Sequence, residues 1–223
     1  MSDAKDKPDE TNFDGPVPKA VVSRLSLYLR ELQHQVRDGQ ETTSSTQLGK
    51  LLGFTDAQVR KDLAYFGQFG YPGIGYRCSE LIAAIKGILG TSQPWPLAIV
   101  GLGNLGRALM GYKGFQQQGF QIVAAFDADP AKVGKPVEGL QVHHMDDVGR
   151  IAAERNIRLA IVAVPAPSAQ PVADALVAAG IEGILNFAPV TLALPKNVRV
   201  VGVDLAIELE QLSFAVVNQL SKS

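Results

Sequence analysis

The run Leu97-Ala98-Ile99-Val100-Gly101-Leu102-Gly103-Asn104-Leu105-Gly106 decides how the chain is read. Its first four residues are apolar and predict a short buried strand. Gly101, Gly103 and Gly106 then fit G-x-G-x-x-G, and a helical pattern runs over 104–110. Strand, glycine turn and helix is the context that gives this motif meaning. The first glycine permits a tight turn, the second lets a pyrophosphate approach the backbone, and the third lets helix pack on strand. Free N–H groups and the helix dipole then favour phosphate. The loop from Gly101 through Leu102, Gly103, Asn104 and Leu105 to Gly106 is therefore expected to hold a dinucleotide.

Working outward, the next apolar strand covers 121–126 and ends at Asp127, 26 residues after Gly101. That exceeds the usual spacing of about 20, and a longer crossover accounts for it. A carboxylate there accepts a hydrogen bond from the ribose 2′-OH and repels a 2′-phosphate, which favours NAD(H). Further strands are expected at 158–164, 183–187 and 198–203, with helices at 146–155 and 168–179. This alternation predicts a parallel sheet covered on both faces, a Rossmann-like domain. Val164-Pro165 and Asn186-Phe187-Ala188 follow the third and fourth strands, where carboxyl ends line a ligand crevice. Prolines that merely stop strands are the plainer reading of both segments.

The first half has a different grammar. Val22, Leu25, Leu29, Leu32 and Val36 make one apolar stripe on a helix that Gly39 stops. Ser44 with Gln47 and Thr55 with Gln58 form two capping boxes. They predict a short helix at 45–52 turning sharply into a longer one at 56–66, a helix-turn-helix. Arg60 and Lys61 fall in the second helix, the one that enters a major groove, where an arginine can pair bidentately with guanine. Paired with Asp56 or Asp62 they would instead be ordinary surface charges. Ser44 and Ser45 open the preceding helix, whose N–H groups and hydroxyls can hold a phosphate. The stretch 67–76 interleaves glycines with aromatics and reads as a hairpin, the wing of a winged helix. At the other end Leu205, Leu209, Leu212, Val216 and Leu220 form a stripe, with Ile207, Phe214 and Val217 elsewhere on the same helix. Such a helix must bury more than one face.

Composition sets the outer bounds. The chain has 223 residues, 46% hydrophobic and 19% charged, with net charge −1. No apolar run approaches the roughly 18 residues of a membrane span. Residues 1–15 are acidic and polar, without the apolar core of a secretory signal, and are expected to be a disordered tail. Residues 16–80 hold 8 basic and 6 acidic groups, a mild positive excess. The single cysteine, Cys78, cannot form an internal disulfide and fits the cytoplasm. His143 and His144 have no partners at ligand spacing, so no metal is expected, and no catalytic triad is apparent.

Several strings together resemble one family. Ser23-Arg24-Leu25 with Tyr28-Leu29-Arg30 is similar to its first helix. Gln58-Val59-Arg60-Lys61-Asp62-Leu63 with Tyr65-Phe66-Gly67 is similar to its recognition helix, and Gly73-Ile74-Gly75-Tyr76 to its wing. Val100 to Gly106 with Tyr112-Lys113-Gly114-Phe115 resembles its cofactor loop. Asn186-Phe187-Ala188-Pro189 and Val203-Asp204-Leu205 resemble its closing elements. The family is Rex, the redox-sensing transcriptional repressors of bacteria.

The resemblance implies a homodimer with exchanged C-terminal helices, bound to an inverted-repeat operator and released by NADH, with NAD+ competing. It implies that Tyr112 sits near the nicotinamide, and that Arg30 and Asp204 link DNA-binding head to sensor in one state. It also implies DNA contacts from Gln58, Tyr65 and Gly73. Tyr71-Pro72 stands where family wings often carry basic residues, which implies fewer phosphate contacts. The implied domains are a winged helix at 16–90, a Rossmann-like NAD(H) domain at 91–203 and a dimer-exchange helix at 204–223.

Two other classes share parts of this pattern. A small NAD-dependent oxidoreductase needs a substrate domain, and about 96 residues after Asp127 leave room only to finish the sheet and add a helix. A CoA-binding module shares the sheet and loop, but Asp127 and the winged helix count against it.

Overall fold

The structure is a computed structural model that describes residues 17–220, with side chains through 218. The tail expected at 1–15 and the last three residues lie outside the described residues. The chain divides into two compact units, Met1–Gln93 and Pro94–Ser223.

The first unit contains α1 (Lys19–Arg37), β1 (Thr42–Thr43), α2 (Ser45–Leu52), α3 (Asp56–Ala64), β2 (Tyr76–Arg77) and α4 (Cys78–Ile88). The stripe on α1 buries Leu25, Leu29 and Leu32 against Leu48, Val59, Leu63 and Ile85 of the other helices. Ser44 caps α2 in a full capping box with Gln47, and Thr55 caps α3 by accepting from the Gln58 N–H. Gly53 between them sits at φ 76, a left-handed turn that glycine adopts without strain.

α3 is shorter than its sequence pattern, which predicted a helix to 66. Phe66 turns back to the Leu63 carbonyl, and Gly67 leaves at φ 127. The hairpin expected at 67–76 closes on one bridge, Tyr71 with Gly75. The two-stranded ladder instead pairs β2 with β1, Thr43 opposite Tyr76.

The second unit is a seven-stranded sheet in the order β5-β6-β4-β3-β7-β8-β9. Its strands are β3 (Trp95–Val100), β4 (Phe120–Phe126), β5 (Pro136–Val137), β6 (Leu140–His143), β7 (Leu159–Val162), β8 (Gly183–Asn186) and β9 (Arg199–Gly202). Only the edge strand β5 runs antiparallel, to β6. The helices are α5 (Asn104–Met110), α6 (Lys113–Gln117), α7 (Val148–Glu154), α8 (Ala166–Ala178) and α9 (Leu205–Leu220). One apolar layer joins Val100, Phe126 and Val162 to Ile151 and Leu176 of α7 and α8. On the other face Leu97, Ile99 and Ile161 pack near Leu109 of α5 and Phe115 of α6.

Two differences from the sequence pattern have clear causes. β3 begins at Trp95, two residues before the apolar run that starts at Leu97. Trp95 and Pro96 pair only with β4, and β7 joins from Leu97, so the proline removes no ladder bond on the β7 side. The β5–β6 hairpin turns through Glu138 at φ 48 and Gly139 at φ 80. Two positive φ values mark a type I′ turn, here built on Glu-Gly rather than the usual Asn-Gly or Asp-Gly.

Candidate functional site

In the second unit the chain leaves β3 for β4 and β6 on one side and for β7, β8 and β9 on the other. The carboxyl ends of β3 and β7 therefore flank a topological switch point, where open α/β sheets bind ligands. Gly101 follows β3 at φ 91, and a Cβ on it would lie 2.5 Å from the Ala163 carbonyl beyond β7. Gly106 is buried on α5, and a Cβ there would collide with the Gly101 carbonyl. Gly103, the N-cap of α5, has nothing within 4 Å of where its Cβ would be. The first and third glycines are thus required by the protein's own packing. The middle one keeps a space open in front of the helix. These residues fit a pyrophosphate.

Asp127 stands at the end of β4, next to this loop, and is 8% exposed. Its Oδ2 accepts from the Leu102 N–H at 2.8 Å and from Lys132 Nζ at 2.9 Å, and its Oδ1 accepts from the Asp129 N–H at 2.9 Å. Burial alone would raise this carboxyl. The two N–H donors and the Lys132 ammonium outweigh it and hold the group below the ordinary carboxylate range. Asp127 therefore clamps the glycine loop, and Lys132 already shares it.

The other predicted contacts separate into two kinds. Pro165 is the N-cap of α8, so that helix opens at the same crevice, with Val164 partly buried beside Gly101. Asn186 is 2% exposed and turned inward. Its amide donates to the Ala188 and Val190 carbonyls, and its Oδ1 accepts from the Ala188 N–H. It shapes the loop after β8, with Ala188 buried and Phe187 packed on the core. Leu105 is 40% exposed on α5, and Asn104 is exposed at its first turn.

Tyr112 lies elsewhere. It follows the far end of α5, a helix of 7 residues that spans about 10 Å. Tyr112 is 59% exposed, and its ring packs edge-on against Phe115 and lies where a Gly114 side chain would be. With Lys113, Ile122 and Leu140 it lines a cavity of about 480 Å³. Asp204 caps α9 by accepting from the Ala206 N–H at 2.9 Å.

In the first unit, Arg60 and Lys61 are exposed on α3. Arg60 Nη1 donates to Asp56 Oδ2 at 2.8 Å and to Ser45 Oγ at 3.2 Å, which holds the guanidinium between the two helices. Tyr65 is 46% exposed at the end of α3, Gly73 is exposed at the wing tip, and Arg30 is exposed on α1. Ser44 is occupied as a cap. Gln58 is not free, because its amide donates to Asp62 at 2.7 Å.

Sequence reading missed two clusters here. Asp62, Arg24 and Tyr28 form a buried network. Between the wing and α4, the Tyr71 hydroxyl donates to Glu80 at 3.0 Å while Arg77 bonds the same carboxylate and lies 4.8 Å over the Tyr71 ring. The i, i+3 spacing of Arg77 and Glu80 is the signal that could have flagged the second. Among the described residues no group of His, Cys, Asp and Glu is placed to hold a metal ion.

Comparison with known proteins follows the same division. Residues 92–190 match the CoA binding domain family, and 16–64 match the family described as "Putative DNA-binding protein N-terminus". The redox-sensing transcriptional repressor Rex of Syntrophobacter fumaroxidans is 48% identical over 199 residues, which are 89% of this chain and 95% of that one. A crystal structure of RSP in complex with beta-NAD+ and operator DNA is similar with a TM-score of 0.86 and 34% identity, covering 94% of this chain and 97% of that one. RSP in complex with beta-NADH is similar with a TM-score of 0.82 and 33% identity, covering 94% and 99%.

Proposed function

The chain belongs to the Rex family of redox-sensing transcriptional repressors, and from that membership we propose that it binds operator DNA through its first unit and releases it when NADH occupies its second. It is a binding protein rather than an enzyme, and NADH and NAD+ are its regulatory ligands. One observation carries the reading. A helix-turn-helix with exposed Arg60 and Lys61 and a glycine loop with a buried carboxylate occur in one chain, and RSP, similar over nearly its full length, is known with both ligand types.

In this reading Arg60, Lys61 and Tyr65 face the major groove, with Ser44, Ser45 and Gly73 toward the backbone and the wing. The loop at 101–106 holds the pyrophosphate, Asp127 receives the ribose, and Val164 and Pro165 flank it. Asn186, Phe187 and Ala188 close the crevice from behind. Tyr112, Arg30 and Asp204 report nicotinamide state to the DNA-binding heads.

The working form is a homodimer. Supporting this, Leu205, Leu209, Leu212 and Phe214 of α9 are each at least 60% exposed in the single chain. Apolar surface on several faces of one helix asks for a partner. The domain limits are a winged helix at 16–90, a nucleotide domain at 91–203 and an exchange helix from 204. The site of action is the cytoplasm, where its DNA lies. Among the described residues no helix is long and apolar enough to cross a membrane.

A ligand moves an equilibrium only by its differential affinity, and reversing occupancy from 1:99 to 99:1 takes about 5.5 kcal/mol. Fluorescence anisotropy on an inverted-repeat operator tests this, with each ligand titrated separately. NADH should dissociate the complex at far lower concentration than NAD+, and equal potency would overturn the sensor reading. The match to CoA binding domains favours a second reading for residues 92–190 alone. Coenzyme A included in the same titration should leave the complex intact.

A further inference from the structure

We propose that Lys132 sets how strongly the second unit distinguishes NADH from NADPH, by neutralising Asp127 where a 2′-phosphate would arrive. The inference rests on the dinucleotide reading of the glycine loop. A carboxylate has about four acceptor positions, two on each oxygen. Oδ2 of Asp127 is filled by the Leu102 N–H and the Lys132 ammonium, and Oδ1 is half filled by the Asp129 N–H. One position remains for a ribose hydroxyl. A carboxylate free of Lys132 would offer two, one on each oxygen.

The ammonium is fixed by more than the pair itself. Lys132 N–H donates to the Asp129 carbonyl at 2.9 Å, so a tight turn aims the side chain back at the end of β4. Asp129 Oδ2 lies 3.8 Å from the same Nζ and is its second acidic neighbour. The side chain is 26% exposed against 10% for that of Asp127, so the cation is the more accessible partner of the pair. A phosphate reaching the ribose end of the site would meet an ammonium beside the carboxylate.

Both effects act in one direction. Lys132 takes an acceptor from the ribose, which weakens NADH, and offers a cation to a 2′-phosphate, which strengthens NADPH. The sequence Asp127-Ala128-Asp129-Pro130-Ala131-Lys132 therefore encodes a softened selectivity that Asp127 alone would not give.

Calorimetric titration of the full-length protein with NADH and with NADPH tests this, for wild type, Lys132→Met and Lys132→Arg. The ratio of the NADPH to the NADH dissociation constant should rise about tenfold in Lys132→Met and stay near the wild-type value in Lys132→Arg. Thermal unfolding of each variant accompanies the titrations. If Lys132→Met does not fold, Lys132→Gln, which keeps a hydrogen-bond donor and removes only the charge, should show a smaller rise in the same direction. NADH binding with an unchanged ratio in a folded, uncharged variant would overturn the proposal alone. A wild type that binds neither nucleotide would overturn the glycine-loop reading, and the proposal with it.

Discussion

Asp62 on α3, 1% exposed, receives the Arg24 guanidinium of α1 through two hydrogen bonds of 2.5 and 2.7 Å. The Tyr28 hydroxyl donates to the same carboxylate at 2.8 Å and the Gln58 amide at 2.7 Å. Burial alone would raise the Asp62 carboxyl, but Arg24, then Tyr28 and Gln58, outweigh it and hold the group below the ordinary carboxylate range. The network bolts α3 to α1 from its inner side. The outer side, with Arg60 and Lys61, is thereby held at a fixed rotation.

Removing one partner of such a pair leaves an uncompensated buried charge. Arg24→Ala should lower the stability of the first unit by about 3–4 kcal/mol, read by urea unfolding. The folded pKa of Asp62 is depressed, so its contribution is complete above the unfolded value of about 3.9 and is lost as pH falls through the folded value. Asp62→Asn should therefore flatten the decline in stability below about pH 4. A decline as steep as the wild type's would show that other carboxylates set the acid limit.

Arg60 and Lys61 should fail differently. Arg60→Ala should weaken operator binding about tenfold or more and relax preference at one base pair, since a bidentate contact contributes about 1–3 kcal/mol of discrimination. Lys61→Ala should weaken operator and random duplex alike, and flatten the log–log salt slope by about 0.9. Gel shifts at several salt concentrations separate the two. Unchanged operator affinity for Arg60→Ala would remove that residue from the interface.

The glycines of the loop divide into those that the protein's own packing requires and one that faces open space. A Cβ on Gly106 would collide with the Gly101 carbonyl, whereas one on Gly103 enters open space. Gly106→Val should lower the unfolding temperature of the second unit. Gly103→Val should leave that temperature within a degree or two and abolish calorimetric NADH binding. Undiminished NADH binding in Gly103→Val would place the pyrophosphate elsewhere.

The exposed apolar faces of α9 make a further prediction. Phe214, 72% exposed, replaced by Glu should shift sedimentation from dimer toward monomer and weaken binding to a two-half-site operator much more than to a single half-site. An unchanged sedimentation coefficient would show that this face of α9 lies outside the dimer contact.

Much of the frame was legible because local signals carry it. The capping boxes at Ser44 and Thr55 act over three residues, and α2 and α3 start where those residues put them. Parallel strands read as apolar runs, and five of the seven were visible that way, four of them inside the sheet and one, β9, at its exposed edge. The β5–β6 hairpin was not, because a two-residue edge strand and its four-residue neighbour around Glu138-Gly139 are too short to show a periodicity. Gln58 and Asn186 read as polar groups near a ligand, yet both are consumed inside the protein. A side chain's direction depends on what packs beside it, and nothing local encodes that.

By itself the sequence determined where chemistry could happen: the glycine loop at 101–106, a carboxylate at the end of the next strand, and a basic pair on the second helix of a helix-turn-helix. Backbone conformation and capping act over a few residues, so residue type and spacing suffice for these. Only the tertiary structure decided which polar groups remain free to act. Asp127 meets Lys132 five residues away, Asp62 meets Arg24 38 residues away, and Tyr71 of the wing meets Glu80 of α4. A buried carboxylate must find donors wherever the fold brings them, and those pairings become readable only when the chain has closed on itself.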